Sequence, residues 1–245
     1  MTPRAVVFDL GGTLVHWPDW DEAAPAKWSF AYDALRRAAD GITLPDRDGF
    51  VSAMRAAEAA HWVRVDSEHW SGPPTGLVSD GFGRLGLRVP EAVLVATMDG
   101  YAKAVRGWSS VYPDSRDTLV TLRERGYRLG LLSNTWWAAA WHNADIAAHG
   151  LADLLDELVY TSDLAHSKPH PSVFAEISRR LGVAPAECVM IGDRQIDDVS
   201  GGKATGMRGV WRRNDSGFPA SEVGPDAIVD RLAEVPPLLR SWGGR

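Results

Sequence analysis

The stretch Ala5-Val6-Val7-Phe8-Asp9-Leu10-Gly11-Gly12-Thr13-Leu14 decides how the rest of the chain is read. Four apolar residues run unbroken into a carboxylate, and two glycines follow one residue later. An unbroken apolar run of this length reads as a strand buried on both faces, as parallel sheets contain. A carboxylate at the end of such a strand, with glycines beside it, sits where backbone N–H groups can approach an anion closely.

Outward from this stretch, short apolar runs alternate with helical patterns. Strands are expected at residues 5–10, 127–132, 158–161, 188–191, 209–211 and Ala227–Val229. Residues 114–125 read as a helix preceded by Pro113 and closed by Gly126, and Pro171–Leu181 closes in the same way on Gly182. The alternation belongs to a parallel sheet covered by helices on both faces. From about Pro18 to Trp108 the pattern changes: only helical periodicity is found, at residues 22–39, 48–65 and Glu91–Val105, with Gly72-Pro73-Pro74 as punctuation. The expected organisation is a Rossmann-like parallel α/β core formed by residues 1–17 and 109–245. A helical cap, residues 18–108, is inserted after the first strand, over the carboxyl edge where open α/β sheets bind ligands.

Composition narrows the function. The 245 residues are 45% hydrophobic and 24% charged, ordinary for a globular protein able to bury a core. A net charge of −6 argues against nucleic acid as the main partner, because phosphate-backbone binding needs a clustered basic face. No uncharged apolar run approaches the roughly 18 residues of a membrane span. Cys188 is the sole cysteine, so neither a disulfide framework nor a thiolate metal cluster is expected. The apolar run at Ala5 is too short for a signal segment, and the cytoplasm is the expected compartment. Asn214-Asp215-Ser216 matches a glycosylation pattern that has no meaning without secretion.

Four features fall at expected strand ends. Asp9 with Gly11 and Gly12 is the first; Leu131-Leu132-Ser133-Asn134 is the second, a hydroxyl and an amide ahead of a helix whose free N–H groups favour phosphate. Lys168-Pro169 follows the third strand, and Gly192-Asp193 with Asp198 follows the fourth. Any one of them also reads as a helix cap, a first-turn acid or a solvated lysine. Taken in order, each after its own strand, they converge on one edge of a parallel sheet.

This series resembles the haloacid dehalogenase superfamily, in the subgroup with a helical cap after the first motif. Phe8-Asp9-Leu10-Gly11-Gly12-Thr13-Leu14 is similar to the first motif, whose leading aspartate is the nucleophile. The stretch ending in Leu131-Leu132-Ser133-Asn134 is similar to the second, Ser167-Lys168-Pro169-His170-Pro171 to the third, and Ile191-Gly192-Asp193 with Asp198 to the fourth. The resemblance implies a phosphohydrolase acting on a small phosphorylated metabolite. Asp9 would attack phosphorus to form an aspartyl-phosphate. A Mg²⁺ held by Asp9, the Gly11 carbonyl, Asp193 and Asp198, the last through its support of the shell or of Lys168, would offset the repulsion between carboxylate and phosphate. Gly12, Thr13, Ser133, Asn134 and Trp136 would bind substrate, and Lys168 would stabilise the charge that spreads over the phosphoryl group.

One position departs from the family pattern. Phosphatases of the family carry a second aspartate two residues after the nucleophile, where it serves as acid and base; here that residue is Gly11. Acid–base assistance is typically worth about 100- to 10,000-fold. Either another group substitutes, with His16 the best placed, or the substrate carries a good leaving group, or the protein binds phosphorylated ligands and turns over poorly. A 2-haloacid dehalogenase would also tolerate Gly11, although Asp193 is not expected in one.

Six of the eleven tryptophans (Trp17, Trp20, Trp28, Trp62, Trp70 and Trp108) lie in or beside the helical segment, and Trp136, Trp137 and Trp141 follow the second motif. Spacing predicts that Trp137 and Trp141 share a helix face. These rings either pack a core or floor a pocket for a sugar or aromatic ligand. His61 and His69 fit no metal spacing, and His142, His149, His166 and His170 have no partner pattern.

Overall fold

The structure is a computed structural model that describes residues 1–38, 43–214 and 217–244. Ala39, at the end of the first expected helix, and Asp215 and Ser216 of the glycosylation triplet lie outside the described residues.

Six strands form one parallel sheet: β1 (Ala5–Phe8), β4 (Arg128–Ser133), β5 (Glu157–Tyr160), β6 (Cys188–Gly192), β7 (Arg208–Arg212) and β8 (Ala227–Val229), in the order β5-β4-β1-β6-β7-β8. The remaining strands, β2 (Val15–His16) and β3 (Ser110–Val111), pair with each other antiparallel. All six strands expected from the sequence are present, with ends shifted by at most two residues. In β1 every residue is fully buried, because Val6 pairs with Leu129 of β4 on one side and Val189 of β6 on the other.

Side chains alternate across the sheet, as the two-residue period of a strand requires. Val6 and Phe8 face α5 (Ser115–Glu124) and α9 (Val235–Ser241), meeting Leu119, Leu122 and Leu239. Ala5 and Val7 face α7 (Pro171–Leu181), meeting Val173, Phe174 and Ile177. Each such buried aliphatic or aromatic side chain contributes roughly 1.5–3 kcal/mol. Helix α7 ends on Gly182 at φ 66°, whose N–H bonds the Ser178 and Arg179 carbonyls. Gly130 lets α7 close on β4, since a Cβ there would stand 3.0 Å from both Ile177 and Leu181.

Between β2 and β3 run four helices: α1 (Trp20–Ala38), α2 (Arg47–Glu68), α3 (Pro74–Arg84) and α4 (Glu91–Val105). Of these, α3 is absent from the sequence reading, which took Gly72-Pro73-Pro74 as a break; Pro74 instead occupies the first helical turn, where its missing N–H costs nothing. Gly100 permits the contact of α4 with α1, because a Cβ would lie 2.7 Å from that of Ala34 and 2.9 Å from the Ala31 backbone. The helices build their own apolar centre from Trp28, Phe50, Met54, Phe82 and Tyr101. Trp136 and Trp137, from the loop after β4, enter this same cluster, with Trp136 stacked on Trp28 at 5.8 Å.

Two seams join helices and sheet. The β2–β3 ladder is one, reinforced by Ser115 donating to the Leu14 carbonyl at 2.7 Å. The other is the α2–α3 loop, where Ser71 donates to the Thr161 carbonyl and the Ser167 N–H to that of His69. Helix α6 (Ala139–Ala148) begins after Trp137, which corrects the expectation of a shared helix face: Ala138 is extended, so Trp137 stands in the preceding bend, 6.1 Å from Trp141. Among the described residues no helix is long and apolar enough to cross a membrane.

Candidate active site

The chain leaves β1 toward β4 and β5 on one side and returns to β6 on the other, so the carboxyl ends of β1 and β6 flank a topological switch point. Asp9 extends β1 by one residue, its N–H donating to the Ile191 carbonyl at 2.9 Å. Gly12 turns the loop back at φ 74° and passes so close to the Asp193 carboxylate and Asn214 amide that no Cβ fits there. Its N–H is spent on the Val15 carbonyl at 2.8 Å. The glycine therefore serves close approach of the backbone.

Asp193 ends β6. Its Oδ2 accepts from Asn214 Nδ2 at 2.9 Å, while Oδ1 is buried with no partner. Asp198, fully buried, sits in the π-helical turn Gln195–Ser200, which precedes the short α8 (Gly201–Ala204). Lys168 arrives from the loop between β5 and α7 and bridges the cluster. Its Nζ donates to Asp9 Oδ1 and Asp198 Oδ1, both at 2.6 Å, and to the Leu132 carbonyl at 3.0 Å. Asp198 Oδ2 accepts the Arg194 N–H at 3.0 Å, so both of its oxygens are engaged.

Burial drives the electrostatics. Withdrawal from water raises the Asp9 carboxyl to about 7 against the pull of Lys168, and the neighbouring Asp198 and Asp193 push the same way. Burial, then Asp198, raises Asp193 to about 6. Burial disfavours the charged Lys168, yet Asp198 and Asp9 outweigh it and hold the ammonium above its usual range. Carboxylate oxygens of Asp9, Asp193 and Asp198 all lie within 4.8 Å of one another. Three crowded acids with one ammonium and one unpartnered oxygen fit a divalent cation with oxygen ligands.

A cavity of about 780 Å³ opens over this centre. Asp9, Gly11, Gly12, His16, Ser133, Asn134, Trp136, Lys168 and Asp193 line it. Three candidates behave differently. Thr13 and Asp198 are fully buried and do not line the cavity. Asn134 reaches the cavity, but its amide clamps the Lys168 backbone, Oδ1 accepting the N–H at 2.8 Å and Nδ2 donating to the carbonyl at 3.0 Å. Both hydrogen bonds tie it to the lysine loop.

Several lining residues escaped the sequence reading. Arg194 enters from the residue after Asp193, its Nη1 on Asp197 at 3.2 Å and its guanidinium 3.9 Å from the Phe218 ring centroid. Its position beside the fourth motif was the available signal. Asn214 had none, since it meets Asp193 and Gly12 only through the fold. His142 is held by Thr135 at 2.8 Å and lies under Trp137; burial lowers its imidazole to about 3, so it is neutral. Trp17 covers Gly11: a Cβ at Gly11 would lie 3.0 Å from its indole Cζ3.

Fold and centre together define a Rossmann-like α/β protein with a carboxylate–lysine cluster at the sheet's carboxyl edge. The chain belongs to the haloacid dehalogenase-like hydrolase family, whose model matches residues 3–206. It is 30% identical to a phosphoglycolate phosphatase of Rhodospirillum rubrum over 95% of this chain and 89% of that protein. To a glyceraldehyde 3-phosphate phosphatase of Methanopyrus kandleri it is 30% identical over 62% of this chain and 69% of that protein. For the Methanothermobacter thermautotrophicus enzyme of the same name, the match spans 43% of its length. Among solved structures, a phosphatase of the family from Thermococcus onnurineus superimposes with a TM-score of 0.65 at 28% identity, covering 98% of each chain. A 2-haloacid dehalogenase from Pseudomonas syringae pv. Tomato DC3000 gives 0.69 at 23% identity, over 99% of this chain and 100% of that one, a likeness of fold.

Proposed function

We propose that this hydrolase is a Mg²⁺-dependent phosphatase of a small phosphorylated metabolite, with Asp9 as its nucleophile. The observation that carries the reading is the charge deficit of the centre: three buried carboxylates, one lysine between two of them, and Asp193 Oδ1 unpartnered. Asp9, Asp193 and the Gly11 carbonyl would hold the cation, and Asp198 would support that shell through Lys168. Bound there, the cation offsets the repulsion between carboxylate and phosphate.

Lys168 fixes Asp9 through Oδ1, and no described residue hydrogen-bonds Oδ2. Attack by Asp9 on phosphorus forms an aspartyl-phosphate as the ester oxygen departs, and water then releases phosphate and restores the carboxylate. Ser133, Lys168 and loop N–H groups hold the equatorial oxygens. Residues 18–108 form the cap that closes the cavity, and the cytoplasm is the compartment that suits a metabolite substrate and a lone buried cysteine. Halide displacement is the second reading, favoured by Gly11, which leaves no acid after the nucleophile; the orphaned oxygen of Asp193 weighs against it.

Phosphate release tests the proposal. It is expected to require Mg²⁺, to stop with EDTA and to vanish in Asp9→Asn. Undiminished turnover by Asp9→Asn contradicts the nucleophile, and chloride release from a 2-chloro acid in EDTA favours the second reading.

A further inference from the structure

Most of the described acids lining the cavity are engaged. Asp9, Asp193 and Lys168 form the centre, and Asp197 is engaged by the Arg194 guanidinium. His142 is tied through Nε2 to Thr135. On the cap, Asp66 stands exposed at the cavity mouth. His16 remains, on the β2 seam, with its ring 5.1 Å from that of Tyr112 and no described hydrogen bond aiming it at Asp9. An effective general acid is held by its neighbours within reach of the leaving atom. Among the described residues none is so held, and the space beside Gly11 is filled by the Trp17 indole.

Without an acid, the departing oxygen must be stable as an anion. An alkyl alcohol, about as weak an acid as water, is a poor leaving group. A phenol, near the tyrosine value of about 10, leaves readily. The cavity walls point to the same class of molecule. Trp17, Trp20, Trp62, Trp136 and Trp137 line one continuous chamber with Phe218. Trp20 stacks on Trp137 at 5.9 Å with the ring planes 29° apart, and Trp62 reaches the chamber from α2 as a half-buried ring.

Resting on the phosphatase reading above, we propose that the natural ester is an aryl phosphate, its phosphoryl group at Asp9 and its aromatic ring seated among these indoles. The Asp9 oxygen–phosphorus bond forms as the phosphorus–aryl oxygen bond breaks. The electron pair leaves with the aryloxide, which takes its proton from water. In the second step water attacks the aspartyl-phosphate, the departing carboxylate is already stable as an anion, and the proton of that water passes to solvent. Arg194, on the cavity wall, supplies positive charge to the chamber during the first step.

Benzyl phosphate separates the two halves of the proposal, because it carries a ring on an alkyl leaving group; acetyl phosphate carries a good leaving group without a ring. With the full chain and Mg²⁺, kcat/KM for phenyl phosphate is expected to exceed that for benzyl phosphate by at least about 100-fold, the lower end of what an acid supplies. 2-Naphthyl phosphate is expected to exceed acetyl phosphate, and Trp62→Ala to cut that ratio about 2- to 10-fold, the range of an aromatic contact. Equal rates on phenyl and benzyl esters, or a phenyl-to-benzyl ratio that rises in His16→Ala, overturn the absence of an acid. Preference for acetyl phosphate over every aryl ester overturns the ring site while leaving the phosphatase intact. Phosphate release from none of the esters overturns the phosphatase reading itself.

Discussion

Replacing Lys168 with methionine keeps the length and apolar bulk of the side chain and removes its charge. The ammonium makes three buried hydrogen bonds, to Asp9, Asp198 and the Leu132 carbonyl, and the lysine is 1% exposed. Its loss leaves two carboxylates buried beside a third with no compensating cation. Breaking a buried ion pair from one side costs about 3–5 kcal/mol. For a chain of this size each kcal/mol is worth about 2–4 °C, so melting should fall by about 6–20 °C in metal-free buffer at pH 8. The sign of the pH dependence follows from Asp9, whose folded carboxyl lies at about 7, above its ordinary 3.8. Between those values the folded protein holds a proton that the unfolded chain has released, so stability declines as pH rises through that window. Removing Lys168 removes the pull that limited the rise, and the penalty should be larger at pH 8 than at pH 5, where Asp9 and Asp193 take up protons. Thermal unfolding followed by circular dichroism in EDTA measures both. A loss below about 2 °C at pH 8, or an equal loss at both pH values, would refute the buried-charge argument.

The other expected outcomes concern the same centre. Mg²⁺ should raise the melting temperature more at pH 8 than at pH 5, because Asp9 and Asp193, at about 7 and 6, must be ionised to bind it. Saturation at a hundred times the dissociation constant stabilises by about 2.7 kcal/mol, and Asp193→Asn should abolish most of that shift. Gly192→Ala should destabilise the fold and lower phosphate release, since the added methyl overlaps the Asp198 carboxylate that holds Lys168; an unchanged melt would show that the β6 turn yields. Gly11→Asp should help benzyl phosphate little on its own, because the Trp17 ring stands 3.0 Å from the new Cβ. Combined with Trp17→Ala it should gain about 100-fold or more, as an acid does; equal activity of single and double variants would show that the indole does not block the position.

Much of the sheet is readable because its strands are apolar on both faces. Val189-Met190-Ile191 and Val6-Val7-Phe8 are such runs, and Ala227–Val229 emerges with its ends as expected. The β2–β3 ladder was invisible because two residues set no periodicity, and α3 was hidden by prolines that start the helix instead of breaking it. Trp137 and Trp141 show the limit of spacing arguments: the separation of four is real, but extended backbone at Ala138 places one ring ahead of the helix. At the site, the order of motifs along the chain was enough to bring Asp9, Lys168 and Asp193 to one edge. What each side chain does there depended on contacts that only folding creates. Asn134 is turned to the lysine loop by two backbone hydrogen bonds, Thr13 is sealed into the core, and Trp17 is laid over Gly11 by the path of the chain from β2 into α1.

The most direct test quenches the Mg²⁺-loaded protein with acid during turnover of phenyl phosphate and maps the phosphoryl group by peptide mass spectrometry. The account predicts an acid-stable, base-labile phosphoryl on the peptide containing Asp9, absent from Asp9→Asn. Steady phosphate release with no such adduct, or an adduct on another residue, would contradict it.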